Sequence, residues 1–244
     1  MKKREFFIAL FLHLTAICPA FSKSNVYLVK SPDQRIVVNL EVGHELKWSI
    51  KSDSNSILLP SVISLELSSG KILGREVEVV KFSLQKVVSS FATPVYKKST
   101  VIDIYNLLTL SFKGGYGLQI RVYDDGAAYR FTSKDPREFE VVSERADFNF
   151  ESDHKIFIPY VRDLRVKDDR YVNSFESLYD QQKLSELYPD SLAFLPLLID
   201  FGDELKATIL DVNLENYPGL LVVKGIGNSL NARFAGYPVH EGWP

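Results

Sequence analysis

The sequence predicts an all-β protein built as an antiparallel β-sandwich. Three observations support this prediction: about a dozen short runs of β-forming residues, glycine turns between successive runs, and no strand–helix alternation of the kind that a parallel α/β barrel requires. The chain has 244 residues and a single cysteine. A domain of this size has to be stabilised by apolar burial, because disulfides are not available to it.

The first element is predicted to be a removable export signal over residues 1–22. Lys2, Lys3 and Arg4 form a basic start, and residues 6–17 form an apolar stretch that is short for a membrane span. We therefore expect an exported protein, either periplasmic or secreted. Lipid anchoring at Cys18 is the less favoured outcome, because Ile17 stands where a lipid-attachment site prefers a small residue.

The rest of the chain, residues 23–244, is predicted to form one domain of successive strands. In the first run, Ile36, Val38, Leu40 and Val42 alternate with polar or smaller residues, as in a half-buried strand. The predicted strands are 36–42, 46–50, 62–67, 77–84, 102–112, 117–123, 127–131, 139–143, 155–159, 195–201, 206–211 and 220–224. Trp48, Ile120, Tyr129 and Phe131 are expected to be at least partly buried between these strands.

Two turns in the middle of the chain have hairpin spacing. Lys113-Gly114-Gly115-Tyr116 and Asp124-Asp125-Gly126 separate β-rich runs, and glycine provides the positive φ that a tight reversal needs. Arg121 and Arg130 flank the second turn, and we expect them to pair with its aspartates or with a facing carboxylate. The sequence therefore predicts two hairpins with structural ion pairs beside the second one.

The longest stretch without a strand pattern, residues 162–190, is predicted to be a charged surface loop on one rim. Residues 175–187 contain the best helical pattern of the chain, but an irregular loop is the favoured interpretation. Five acidic residues in this stretch could bind a metal ion or simply be solvated. They are Asp163, Asp168, Asp169, Glu176 and Asp180. Calcium is the natural ion for such a set, because carboxylates are hard oxygen ligands.

Several function classes are disfavoured by composition. Apart from the leader, the histidines are His44, His154 and His240; none lies in a nucleophile signature, and no cysteine remains. The net charge of −2 gives no electrostatic footprint for nucleic acid. No second apolar run reaches membrane-spanning length. We therefore expect no nucleic-acid partner and no membrane span.

A set of short segments, taken in chain order, resembles the N-terminal domain of glycoside hydrolase family 97. The similarity extends over about residues 27–224. The segments are Ser31-Pro32-Asp33, Leu65-Glu66-Leu67, Tyr105-Asn106, Arg121-Val122-Tyr123-Asp124-Asp125-Gly126-Ala127-Ala128-Tyr129-Arg130-Phe131, Ser143-Glu144 with Phe148, and Asn213-Leu214-Glu215-Asn216-Tyr217-Pro218-Gly219. The sequence departs from the family pattern at Leu107, where an acid is usual, and at Asp211, where glutamate is common.

This resemblance implies a specific architecture and role. Members of the family are exported α-glucosidases and α-galactosidases with an N-terminal β-super-sandwich related to that of galactose mutarotase, a catalytic (β/α)8 barrel and a small C-terminal β-domain. Their catalytic carboxylates lie in the barrel, so the resemblance implies no catalytic and no cofactor-binding residue here. Because no barrel pattern follows and the last sandwich strands are missing, we expect a C-terminally truncated, incomplete sandwich.

The resemblance also implies one metal ligand. In the family, a glutamate of the N-terminal domain binds a calcium ion at the active site, and Glu176 occupies the matching position in Asn173-Ser174-Phe175-Glu176-Ser177-Leu178-Tyr179. Calcium would bind only in a full-length enzyme, since one carboxylate cannot supply six to eight oxygens. The implied partners are the catalytic barrel, absent from this chain, and an α-linked oligosaccharide substrate.

Two other functions remain open at this point. A stand-alone sandwich could bind carbohydrate on exposed aromatic side chains, for which the tryptophans Trp48 and Trp243 are candidates. A mutarotase-like sugar epimerase would need a histidine acid, for which His154 is the candidate.

Overall fold

The computed structural model describes residues 24–135, 139–161, 170–171, 175–215 and 217–236. The predicted leader, 1–22, lies outside these residues. The strands are β1 Asn25–Lys30, β2 Ile36–Val42, β3 Leu46–Ser52, β4 Asn55–Leu67, β5 Ile72–Leu73, β6 Val79–Ala92, β7 Thr100–Phe112, β8 Tyr116–Val122, β9 Ala127–Ser133, β10 Val141–Asn149, β11 Lys155–Pro159, β12 Tyr179–Lys183, β13 Leu197–Gly202, β14 Leu205–Ile209, β15 Leu221–Lys224 and β16 Ser229–Arg233. A single turn of 3₁₀ helix, Leu184–Glu186, follows β12.

The strands form three antiparallel sheets. The large sheet has the order β1-β2-β3-β4-β10-β16-β15, with β5 paired to β4. The meander sheet has the order β6-β7-β8-β9, and the C-terminal sheet has the order β12-β11-β13-β14. This arrangement confirms the predicted all-β, antiparallel super-sandwich.

Strand β2 shows why the sequence pattern produces this architecture. Ile36, Val38, Leu40 and Val42 are buried, whereas the residues between them are half-buried on the opposite face. The antiparallel neighbours β1 and β3 keep this alternation in register, since residues directly opposite each other point to the same face. One face of the large sheet therefore faces the core and the other faces solvent.

The core lies between the large sheet and the meander sheet. The ring of Trp48 on β3 packs edge-on against Tyr129 on β9, with ring centroids 5.0 Å apart. Trp48 and Ile120 are buried, and Tyr129 and Phe131 are half-buried against the same cluster. These positions confirm the four predicted core residues.

The C-terminal sheet joins the same core. Ala193 forms bridges both to Tyr160 and to Val222, which belongs to the large sheet. The side chains of Phe150 and Phe201 meet with centroids 6.4 Å apart. The buried residues of all three sheets consequently form one continuous hydrophobic cluster.

Both predicted hairpins are present. Gly114 and Gly115 have φ values of +96° and +80° in the β7–β8 turn, where residues without a Cβ are favoured. In the β8–β9 turn, the Tyr123 amide donates to the Gly126 carbonyl over 2.7 Å.

Among the described residues, neither Arg121 nor Arg130 forms the expected ion pair with the aspartates of the second turn. Arg130 donates to Gln119 across the β8–β9 ladder, with 2.8 Å between Nε and Oε1. The Arg121 guanidinium lies over the ring of Tyr105, 4.7 Å from its centroid. The aspartates of the turn lie beyond the ends of β8 and β9, whereas the side chains of the two arginines stand out from the faces of these strands.

The predicted loop 162–190 contains a strand that the sequence did not indicate. Residues 179–183, part of the tentative helix 175–187, form β12 and pair antiparallel with β11. Strands β1, β5 and β16 were also not predicted, and β4, β6 and β10 extend well beyond their predicted bounds. Among the described residues, no helix has the length and apolar character needed to cross a membrane.

Candidate functional site

Glu176 lies in the short segment that leads into β12. One ring contact and one hydrogen bond hold this segment against the loop before β13. The rings of Phe175 and Phe194 lie 5.4 Å apart. The Tyr179 hydroxyl donates to the Pro196 carbonyl over 2.7 Å. Phe175 itself has a left-handed φ of 55°. The backbone on both sides of Glu176 is therefore held in place by side chains other than its own.

The Glu176 carboxylate faces solvent. Within the part of the chain that the structure describes, it takes part in no hydrogen bond or ion pair. Its neighbours are apolar and exposed, since Leu178 is 85% exposed and Tyr179 is 47% exposed. The Glu176 carboxylate is therefore free to bind a ligand or a partner from outside the described residues.

The other acidic candidates do not assemble around Glu176. Asp180 is half-buried on β12, opposite Ile158 of β11. Asp163, Asp168 and Asp169 lie outside the described residues. Among the residues that are described, no three His, Cys, Asp or Glu side chains form a group able to hold a metal ion. Glu176 has the hard oxygen chemistry that calcium needs but can provide only part of its ligand shell.

His154, the candidate acid of an epimerase, packs among aromatic rings. Its imidazole centroid lies 4.4 Å from that of Phe201 and 6.5 Å from that of Phe150. Burial lowers the pKa of His154, so the ring is mostly neutral at neutral pH. The neighbouring Asp153 accepts from the backbone and hydroxyl of Ser185. This arrangement gives His154 a packing role.

His44 forms an exposed contact with Glu76 at 3.8 Å, and His240 lies outside the described residues.

The structure also tests the aromatic candidates for sugar stacking. Trp48 is 6% exposed and its indole nitrogen has no hydrogen-bond partner among the described residues. It therefore belongs to the core. Trp243 lies outside the described residues.

A surface pocket of about 250 Å³ lies beside β4, β5 and β10, but its lining contains no aromatic residue. Arg145 at its edge is paired with Glu45 over 3.0 Å and with Asp147 over 2.7 Å, which leaves it little capacity for a ligand.

A half-buried carboxylate that sequence analysis did not single out as a site lies on β10, beside the core. Glu144 accepts from the Tyr217 hydroxyl over 2.6 Å and from the Tyr129 hydroxyl over 3.2 Å. Burial raises the pKa of Glu144, and the two hydrogen bonds act in the opposite direction. Burial and the adjacent carboxylate also raise the pKa of both tyrosines. We call Glu144, Tyr129 and Tyr217 the carboxylate–tyrosine cluster.

This cluster joins two successive strands to a connection that lies much later in the sequence. Glu144 comes from β10, Tyr129 from β9 and Tyr217 from the connection between β14 and β15. Asp211 supports the same connection by accepting from the Leu220 amide over 2.8 Å. Each carboxylate oxygen accepts one tyrosine hydroxyl, and the bond from Tyr217 ties the connection before β15 to the sandwich.

A second long-range contact joins two further motif segments. The Asp33 amide donates to the Asp124 carboxylate over 2.9 Å. The Asp33 carboxylate in turn accepts from the Ser31 hydroxyl and from the Arg35 amide, and these bonds lower its pKa. The Asp-Asp-Gly turn is thus tied to the loop between β1 and β2, and Asp124 has a structural use.

The chain is similar to known proteins over most of its length. A family model described as glycosyl-hydrolase 97 N-terminal matches residues 29–240. A retaining alpha-galactosidase of Bacteroides thetaiotaomicron is 36% identical over 232 residues, covering 93% of this chain and 35% of that protein. The chain therefore spans about a third of the length of this relative.

Solved structures show the same fold at lower identity. A glycoside hydrolase family 97 enzyme from Pseudoalteromonas sp. strain K8, in complex with acarbose, superposes with a TM-score of 0.70 and 19% identity. The match covers 85% of this chain and 32% of that one. A beta-arabinopyranosidase superposes with a TM-score of 0.76 and 20% identity, covering 87% of this chain and 36% of that one.

Proposed function

Because the chain belongs to the glycosyl-hydrolase 97 N-terminal family, we propose that it is the non-catalytic, carbohydrate-side domain of an exported α-glycosidase. In this role it packs on a (β/α)8 barrel that holds the catalytic carboxylates and the α-linked oligosaccharide. The basic and apolar leader over residues 1–22 directs export to the periplasm or the medium.

Glu176 is the residue that carries this proposal. Its carboxylate is exposed and unpaired within the described residues, while Phe175 and Tyr179 anchor the backbone on either side. A metal site shared by two domains needs ligands whose backbone is already held in position before the second domain binds. Glu176 meets this requirement, and the exposed apolar residues Leu178 and Tyr179 follow it in the chain. The surface that contains Glu176, Leu178 and Tyr179 is then the rim that the barrel covers.

Glu176 contributes one ligand to a calcium ion that the barrel completes. Calcium takes six to eight oxygen ligands, and this domain offers one carboxylate. When bound, the ion supplies positive charge beside the sugar. The contribution of Glu176 is to bring negative charge to the domain boundary and to tie calcium binding to domain contact.

The test compares Glu176→Gln with Glu215→Gln, a second exposed glutamate that serves as a matched control. In the isolated chain, calorimetry should detect calcium binding no tighter than roughly millimolar for either variant or the parent. In an enzyme that joins this domain to its barrel, Glu176→Gln should weaken calcium binding and glycosidase activity together, whereas Glu215→Gln should change neither.

Two results would contradict the proposal. The first is micromolar calcium binding by the isolated chain that survives Glu176→Gln. The second is sustained hydrolysis of nitrophenyl α-glucoside or α-galactoside by the isolated chain, because catalysis would then reside in residues 23–244.

A further inference from the structure

The edge strand of the meander sheet is exposed along almost its whole length. Twelve of the fourteen residues of β6 are exposed, and only Val79 and Val87 are half-buried. Among the described residues, β6 pairs only with β7, so its other edge is unpaired. An edge strand of this length with large apolar side chains is unusual in a soluble domain.

The apolar side chains of β6 lie on the face that continues the core. Phe82 stands opposite Leu110 and Leu84 opposite Leu108, and these two β7 leucines are 1% and 2% exposed. Residues directly opposite each other in an antiparallel pair share a face. Phe82 and Leu84 therefore point toward the interior side, yet they are 58% and 56% exposed.

The same face extends toward the tip of the hairpin. Val88 stands opposite Ile104, and Ile102 lies two residues further along β7 on the same side. Val88 and Ile102 are 65% and 70% exposed. We call Phe82, Leu84, Val88, Ile102 and Ile104 the overhang face.

The overhang face is uncovered because it extends past β1, the edge strand of the large sheet. Strand β1 is the edge of the large sheet, and it covers β7 up to the Asn106 side chain, which donates to the Lys30 carbonyl over 2.8 Å. Tyr27 touches Phe82 with ring centroids 5.2 Å apart. Beyond this contact, no further strand lies over the hairpin among the described residues.

The size and charge of the overhang face suit another protein surface. Five large apolar side chains on one face amount to a patch of roughly 300–600 Å², which equals the largest exposed apolar patch of a typical monomer, and such patches are often functional. Lys86, opposite Asn106, is the one charged side chain of β6 on this face. A solvated strand would instead carry several charges on that face.

We propose that the overhang face is a docking surface for the part of the longer glycosidase that lies outside this stretch. The inference rests on the proposed function, since it names a second surface for the same partner. About two thirds of the Bacteroides relative lies outside its match to this chain. The area of the overhang face suits an interface between domains of one chain, since such interfaces start at about 600 Å². It is smaller than the area of a standard stable dimer interface, which buries about 800 Å² per partner.

The first experiment tests the face in the isolated chain. Val88→Thr combined with Ile102→Thr keeps β-branched side chains but removes apolar area, and Val95→Thr is the control because Val95 is 98% exposed outside the face. The double variant should lower the fluorescence of an apolar dye bound to the chain by more than half. The control should leave it unchanged, and both should unfold at the same urea concentration as the parent.

The second experiment identifies the partner. Hydrogen exchange is measured in the complete Bacteroides alpha-galactosidase, for peptides aligned with β6 and β7, and compared with the isolated chain. We expect protection factors in the complete enzyme to be at least tenfold higher. Equal protection would overturn the proposal, because the face would then be solvated in the complete enzyme as well.

A third measurement separates a second copy of the chain from the proposed partner. Sedimentation of the isolated chain at about 50 μM should show a monomer. The reason is that the overhang face is smaller than the roughly 800 Å² per partner that a standard stable dimer buries. A dimer that the double variant dissociates would make a second copy the occupant and overturn the proposal. None of these readouts involves Glu176 or calcium, so they fail independently of the metal-ligand assignment.

Discussion

The Glu144 carboxylate ties the successive strands β9 and β10 to the connection before β15, which lies much later in the sequence. Each of its oxygens accepts one tyrosine hydroxyl, one from β9 and one from that connection. Removing water from a carboxylate is costly, and the hydrogen bonds offset part of this cost. The cluster therefore couples the stability of the domain to the protonation of one residue.

Replacement of Glu144 with Gln should change the pH dependence of stability. Burial raises the pKa of Glu144 in the folded chain, so the folded chain binds this proton more tightly than the unfolded chain. The resulting contribution to stability is fully present below the unfolded pKa and is lost as the pH rises through the folded pKa. The free energy of unfolding of Glu144→Gln, measured with urea and compared with that of the parent, should therefore increase as the pH rises from about 4 to about 7.

The control for this comparison is Glu151→Gln, a change at an exposed glutamate. Its stability profile should parallel that of the parent over the same pH range. Parallel profiles for Glu144→Gln as well would show that the carboxylate is not titrated differently in the folded chain.

Removal of the Tyr217 hydroxyl should destabilise the domain. Tyr217→Phe deletes the 2.6 Å hydrogen bond to Glu144 and leaves a half-buried carboxylate with one hydroxyl donor. A hydrogen bond to a charged group contributes about 1.5–3 kcal/mol, so the free energy of unfolding should fall by about that amount. Tyr96→Phe, at a residue that is 63% exposed, should change it by less than about 0.5 kcal/mol. Equal effects of the two changes would contradict the anchoring role.

The sequence placed Tyr129, Glu144 and Tyr217 in separate motifs and Tyr129 in the core, but it did not indicate that the three side chains meet. Their meeting depends on the register of β10 and on the path of the connection before β15, which local patterns do not encode. The same limit applies to Asp33 and Asp124, which meet across the sandwich. By contrast, the burial of Trp48 and Ile120 follows from alternation and side-chain size alone.

At the scale of single elements, β8 contains a glycine that its neighbours require. A Cβ on Gly117 would lie 2.3 Å from the Leu110 carbonyl oxygen and 3.0 Å from the Thr132 hydroxyl. The first contact is with backbone inside the β7–β8 ladder, so it cannot be relieved by rotation of a side chain. Strand β8 therefore has to shift if any other residue is placed there.

Gly117→Ala should consequently destabilise the domain by about 1–3 kcal/mol, the usual cost of overpacking. Gly126→Ala is the matched control, since a Cβ there would meet nothing within 4 Å. The control should stay within about 0.5 kcal/mol of the parent. Chemical denaturation of the three proteins provides the measurement, and a neutral Gly117→Ala would imply that the two strands are further apart than described.

Strand prediction succeeded for the strands with a clear alternating apolar run and failed for several that are short or polar. The bounds of β2 and β11 were predicted correctly, because each contains a clear run of buried residues. Strand β12, Tyr-Asp-Gln-Gln-Lys, has no apolar face and is held by its pairing with β11. Strand β16 is short and contains Asn231 and Arg233, so turn-like composition concealed it.

For the whole molecule, the continuous core predicts one cooperative transition. Leu40 on β2 and Ile199 on β13 are 0% and 1% exposed and belong to the same hydrophobic cluster, although they lie in different sheets. Leu40→Ala and Ile199→Ala should each cost about 2–5 kcal/mol. Scanning calorimetry should show a single peak that both changes move to lower temperature. A second peak that only Ile199→Ala shifts would make the C-terminal sheet an independent unit.

The neighbouring position of β4 and β10 in the large sheet has a consequence for the order of folding. Leu67 pairs with Val141, so the intervening chain, including the whole meander sheet, leaves the large sheet and returns to the adjacent position. The meander hairpins close over a few residues each, whereas the β4–β10 pairing closes a loop of roughly seventy residues and has a higher entropic cost.

We therefore expect the meander to form early and β10 to join β4 late. In stopped-flow experiments, Ile120→Val in the meander should mainly slow refolding, and Leu65→Ala at the β4–β10 pairing should mainly accelerate unfolding. Until β10 pairs with β4, the large sheet lacks its C-terminal strands, and the meander and the first four strands form only part of the sandwich.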